Sequence, residues 1–119
     1  MNNFMECREI IGLSRRNLAI VMGCSPKKIR IMENIFLDNN TILYLLKLSL
    51  LTNLSCNYLL GIGNESKLTC SERKFLIKIF NVNESLLDDF QAYYLPKKYE
   101  PEFKKNISFG KKELVNIFA

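Results

Sequence analysis

The chain has 119 residues, 48% of them apolar, which is enough for one compact domain with an appendage and too few for two large domains. The formal charge is +5 at neutral pH, no histidine is present, and no apolar run approaches the ~18 residues of a membrane span. Glu6 and Glu9 near the amino terminus do not fit a basic-then-apolar export signal, so the expected location is soluble and cytoplasmic.

In chain order, the first half reads as five short helices. Phe4, Cys7, Arg8 and Ile11 recur at helical spacing and end at Gly12. Ser14 is placed to cap a second helix, Arg15 to Met22, closed by Gly23. Ser25 is placed to cap a third, with Pro26 at its first position, where a missing N–H costs nothing. Ile29, Met32 and Phe36 mark its inner side. After a polar break at Asp38-Asn39-Asn40-Thr41, a fourth helix carries Ile42, Leu45, Leu46, Leu48 and Leu50 or Leu51 on more than one face, the pattern of a central core helix. Ser55 opens a short fifth helix with Cys56, Leu59 and Leu60.

The polar, glycine-containing stretch from Gly61 to Lys67 marks the expected boundary between residues 1–63 and a mostly helical extension, 64–119. Thr69 and Glu72 have capping-box spacing ahead of a helix through Phe75, Leu76, Ile79 and Phe80. Asn83 is placed to cap another, with Leu86, Leu87, Phe90, Tyr93 and Tyr94 on one wide face. Pro96 and Pro101 break the pattern over Leu95–Lys105. Phe109, Leu114, Val115, Ile117 and Phe118 finish the sequence as a short helix or strand. The expected fold class is all-α.

Cys7, Cys24, Cys56 and Cys70 match neither a zinc pattern nor a redox pair, so the expectation is no metal, no cofactor and reduced, buried thiols. Catalysis finds little support either. No phosphate-cradling glycine motif or nucleophile–base pair is evident, and adjacent Asp88 and Asp89 point in different directions on a helix.

The charge distribution is more telling than its total. Arg15, Arg16, Lys27, Lys28 and Arg30 fall between Gly12 and Met32 with no acidic residue among them, whereas residues 65–119 mix ten basic with eight acidic side chains. The same segment meets the steric demands of two helices crossing over a tight turn. Ala19 is small where the second helix crosses, Leu18 and Met22 flank it, and Gly23 tolerates positive φ. Cys24 fills a small apolar site after the turn, and Ile29 and Met32 pin the second helix down.

Gly12-Leu13-Ser14-Arg15-Arg16-Asn17-Leu18-Ala19, Met22-Gly23-Cys24-Ser25 and Ile29 through Glu33-Asn34 together resemble the Cro/repressor-type (XRE-like) helix-turn-helix family. Leu45-Leu46-Lys47-Leu48 and Leu54-Ser55 through Leu59-Leu60-Gly61 match its later helices, so the resemblance covers about half the chain. It implies a five-helix lambda-repressor-like domain and a DNA-binding transcriptional regulator acting as a homodimer on a palindromic operator in double-stranded DNA. It also implies an ion pair between Arg8 and Glu33, phosphate contacts at Ser14, Arg15, Arg16 and Asn34, and a groove-facing set of Ser25, Pro26, Lys27, Lys28, Arg30 and Ile31. Lys27 is the base reader expected there, while Lys28 and Arg30 grip phosphates.

The sequence departs from the family at Arg15, where glutamine is usual, and at Pro26 and Ile31, which often give way to polar base-reading side chains. A second reading is therefore a protein-binding module, antitoxin-like, with Ile31, Phe36, Leu37 and the aromatics of the extension serving a partner. Under the first reading, Phe75, Ile79, Phe80, Leu86, Phe90 and Tyr93 pack across a two-fold axis or back onto Leu50 and Leu51.

Overall fold

A computed structural model describes residues 2–34, 41–64, 66–95 and 110–118. Its helices are α1 (Phe4–Ile10), α2 (Arg15–Met22), α3 (Pro26–Asn34), α4 (Ile42–Thr52), α5 (Cys56–Leu59), α6 (Cys70–Ile79), α7 (Glu84–Tyr94) and α8 (Lys111–Val115). Among the described residues there is no strand, only isolated antiparallel bridges joining Leu54 to Lys67 and Val82 to Phe118. None of these helices is long and apolar enough to cross a membrane. The sequence readings at Ile35–Asn40, Pro96, Pro101 and Phe109 lie outside the described residues.

Local signals start the helices where the sequence places them. Ser14 Oγ accepts from Asn17 N (3.1 Å), Ser25 Oγ from Lys28 N (3.2 Å) and Ser55 Oγ from Tyr58 N (3.3 Å). Asn83 Oδ1 accepts from Leu86 N (3.1 Å). Thr69 and Glu72 form a complete capping box, with Thr69 N donating to Glu72 Oε1 (2.9 Å) and Glu72 N to Thr69 Oγ1 (3.1 Å). Each such cap contributes about 1 kcal/mol by satisfying amides that a helix start leaves open.

The core forms around α4, against which α1, α5, α6 and α7 pack. Leu45, Leu48, Leu50 and Leu51 are fully buried there, and each such leucine contributes roughly 1.5–3 kcal/mol. Two polar side chains of α4 are buried and satisfied. The Ser49 hydroxyl donates to the Leu54 carbonyl, and Thr52 Oγ1 donates to Leu48 O (2.8 Å).

The second half of the chain joins the same core. Leu87 and Phe90 of α7, Leu114 of α8 and Ile117 are buried in one cluster with the leucines of α4. Gln91 Nε2 donates to Leu50 O (2.8 Å), which ties α7 back to the end of α4. The glycine-rich connection is likewise tied down, with Ser55 N donating to Ser66 O and Leu68 N to Asn53 O, both 2.8 Å.

Two expectations are corrected, and one pair of alternatives is resolved. Cys70 is exposed and Cys24 and Cys56 are half-buried, leaving only Cys7 buried, because Cys70 opens α6 on its solvent side. Phe90 takes the second of its two alternatives, buried within its own chain in one cluster with Leu50 and Leu51. Ile42 stands 39% exposed because, with Leu43, it lies on the outward side of the first turn of α4, while Thr41 and Tyr44 face the core.

Candidate nucleic-acid interface

α2 and α3 meet over one tight turn. Leu18, Ala19 and Met22 are buried against Ile29 and Met32, none more than 2% exposed. Gly23 adopts φ 75°, ψ 37°, and both Gly23 N and Cys24 N donate to Ala19 O (2.9 and 3.0 Å). A Cβ at Gly23 would meet no neighbour within 4 Å, so glycine is required by the left-handed backbone and not by crowding.

A single carboxylate ties three helices together at the base of this pair. Glu33 of α3, its side chain 1% exposed, accepts from Arg8 Nε of α1 (2.6 Å) and from Arg15 Nε of α2 (3.0 Å). Arg8 Nη1 also donates to Leu13 O (2.8 Å), which fixes the α1–α2 connection. Arg15, assigned from sequence to a phosphate, thus spends one N–H on Glu33 while its side chain stays 42% exposed.

The outer surface of the pair is cationic. Ser14, Arg15, Arg16, Ser25, Pro26, Lys27, Arg30, Ile31 and Asn34 are exposed, and Lys28 is half-buried. Among the described residues, Arg16, Lys27, Lys28 and Arg30 have no carboxylate within ion-pair distance. Lys28 Nζ lies 5.8 Å from the centre of the Tyr44 ring. Asn34 Nδ2 donates to Arg30 O (2.8 Å), so this amide donor is engaged within its own helix. Exposed guanidinium and ammonium donors without acidic competitors suit an anionic, hydrogen-bond-accepting ligand.

Lys47 was not legible as part of this arrangement, because all its partners but Tyr44 come from distant parts of the chain. Its Nζ donates to Met22 O at the end of α2 (3.2 Å) and lies within 5.2–5.7 Å of the ring centres of Tyr44, Phe80 and Phe118. Burial pushes the Lys47 amine below its ordinary pKa, against an opposing pull from Cys24. Burial likewise pushes the Cys24 thiol up, against Lys28 and Lys47. α8 packs against α2, so the turn is buttressed from both α4 and the last described helix.

Among the described residues, no group of three or more histidine, cysteine or acidic side chains is placed to hold a metal ion. Compared with models of known protein families, with curated proteins and with solved structures, the chain shows no match.

Proposed function

We propose that the chain is a DNA-binding transcriptional regulator built on a lambda-repressor-like helix-turn-helix domain, with α2–α3 as the motif and α3 as the helix that enters the major groove. The observation that carries this reading is the exposed cationic face of α3, raised on a packed α2–α3 pair in which Ala19 and Ile29 are both buried and Gly23 is left-handed. Lys27 is the base reader, able to donate to guanine O6 and N7. Arg16, Lys28 and Arg30 hold phosphates, Arg15 adds its remaining N–H groups, and Ser14 lies at the open amides of the α2 start.

One α3 spans few base pairs, so the protein acts as a homodimer on a palindromic site, with two such helices a helical turn apart. It works in the cytoplasm, without cofactor and without catalysis. Neutralising about eight phosphates per dimer makes affinity fall by roughly 10⁴ between 50 and 200 mM salt.

Selection of bound sites from a random duplex pool, followed by gel shifts across salt, tests the proposal. A two-fold symmetric motif and a steep salt slope are expected. Absence of binding even at low salt overturns it and favours the protein-binding reading, for which the 40% exposed Ile31 in the middle of the cationic face is the specific support.

A further inference from the structure

Away from α3, a second surface combines exposed apolar side chains with unpaired charge. Phe75 and Ile79, one turn apart on α6, are 53% and 54% exposed, and Leu43 on α4 is 54% exposed. α6 runs antiparallel to α4. Leu68 N meets Asn53 O near the start of α6, and the Phe80 ring meets Lys47 at its end. Between the two helices runs a groove of about 420 Å³, whose lining is mostly apolar and includes Leu46, Leu68, Phe75 and Ile79.

The other flank of the Phe75–Ile79 ridge is cationic. Lys74 and Lys78 border it, both exposed and without an ion pair among the described residues. Of the nearby acids, Glu84 and Asp88 are paired with Arg73, while Glu72 lines the groove on the flank away from Lys74 and Lys78. Glu72 accepts from Thr69 N in the capping box, and Glu84 and Asp88 lie 3.5 and 2.8 Å from Arg73. This charge pattern also selects among occupants. Two copies meeting ridge to ridge, with their α6 helices antiparallel across a two-fold axis, would set Lys74 and Lys78 beside their own counterparts, which is repulsive.

We propose that the α4–α6 face docks an amphipathic helix of a partner protein, its apolar stripe seated on Phe75, Ile79 and Leu46 and its carboxylate edge facing Lys74 and Lys78. A partner helix places anchors at i, i+3 or i+4, and i+7, which fits a groove floored by leucines beside a two-residue ridge. Acidic edges speed its encounter and fix its orientation. This proposal stands whether or not α3 reads DNA, because the two surfaces share no residue.

The test uses the full chain without DNA and a labelled synthetic helix of leucines at three- and four-residue spacing edged by glutamates, followed by fluorescence anisotropy. Binding is expected. It weakens by at least roughly tenfold in F75S/I79S, where most of the apolar contact is removed. It weakens similarly when the peptide's glutamates become lysines, and K74E/K78E reverses that preference. Far-UV circular dichroism checks that these exposed positions leave the fold intact, and the charge-reversed chain tests the idea even where the serine variant fails to fold. Equal binding of both peptides, or unchanged binding by F75S/I79S, overturns the proposal. Sedimentation showing a dimer that F75S/I79S dissolves also overturns it, by making a second copy the occupant. A dimer that survives those substitutions supports it.

Discussion

Glu33 is the residue on which the cationic surface depends, although it is hidden from that surface. Its carboxylate gathers Arg8, Arg15 and the α3 backbone that carries it, and among the described residues it is the one carboxylate that meets the Arg8 charge, the Leu13 carbonyl being the other acceptor. Glu33→Ala is expected to cost about 3 kcal/mol, read as a lower urea midpoint, since it strands a largely buried guanidinium. Arg15→Ala is expected to cost under about 1 kcal/mol, because that side chain is 42% exposed and solvent-screened.

If the chain binds DNA as proposed, the ranking is expected to invert. Arg15→Ala is then expected to weaken binding to every duplex alike, and Lys27→Ala to shift sequence preference with stability unchanged within about 0.5 kcal/mol. Equal losses on selected and random duplexes for Lys27→Ala would remove it as a base reader. The Arg8 and Glu33 positions were readable by resemblance. Arg15's share in the cluster was not, since nothing local distinguishes an arginine that meets a phosphate from one that turns inward.

Among the elements, those set by neighbouring residues were the ones legible in advance. Ser14, Ser25, Ser55, Thr69 and Asn83 each cap the helix they precede, because a cap depends on residues two or three positions away. Gly23→Ala is expected to lower stability by about 1 kcal/mol through its φ of 75° alone, with DNA preference retained in whatever fraction stays folded. What the pattern did not reveal is which face of α6 points outward. Phe75 and Ile79 share the helical period of a core stripe, yet Leu76 turns inward, because α4 crosses that side.

The capping box of α6 has a pH signature. Hydrogen bonds from the Thr69 backbone and then its side chain hold the Glu72 carboxyl below the usual glutamate range. A depressed carboxylate stabilises fully above its unfolded-state pKa of about 4.3 and loses that contribution as pH falls through the lower folded value. The stability of the native chain is therefore expected to decline more steeply below about pH 4.3 than that of Glu72→Gln, which does not titrate. Parallel acid titrations by circular dichroism would refute this if the two curves kept a constant offset down to pH 2.

At the scale of the whole molecule, the shared core predicts shared stability. Leu87, Phe90, Leu114 and Ile117 are buried with the leucines of α4, and each contributes roughly 1.5–3 kcal/mol. Against a typical total of about 5–15 kcal/mol, removing all four consumes most of the margin. Residues 1–63 alone are expected to be largely unfolded, with poor amide dispersion in NMR, and the full chain to unfold in urea as one transition by fluorescence and circular dichroism. Separate transitions for the two halves would contradict this. The polar stretch after Gly61 reads as a linker because composition reports local backbone freedom. It does not report that α7 returns to Leu50 or that α8 covers α2.

That cover has a kinetic consequence. α8 is only five residues long, too short to persist as a helix by itself, so it exists only while docked. Closing it onto α2 joins segments from opposite ends of the sequence, a long loop whose entropy must be met before the contact is rewarded. α8 is therefore the last element to arrive and the first to leave. Each departure uncovers part of α2 and draws Phe118 away from Lys47. In native-state hydrogen exchange, the amides of α8 are expected to open well below the global unfolding free energy, while those of α4 wait for complete unfolding.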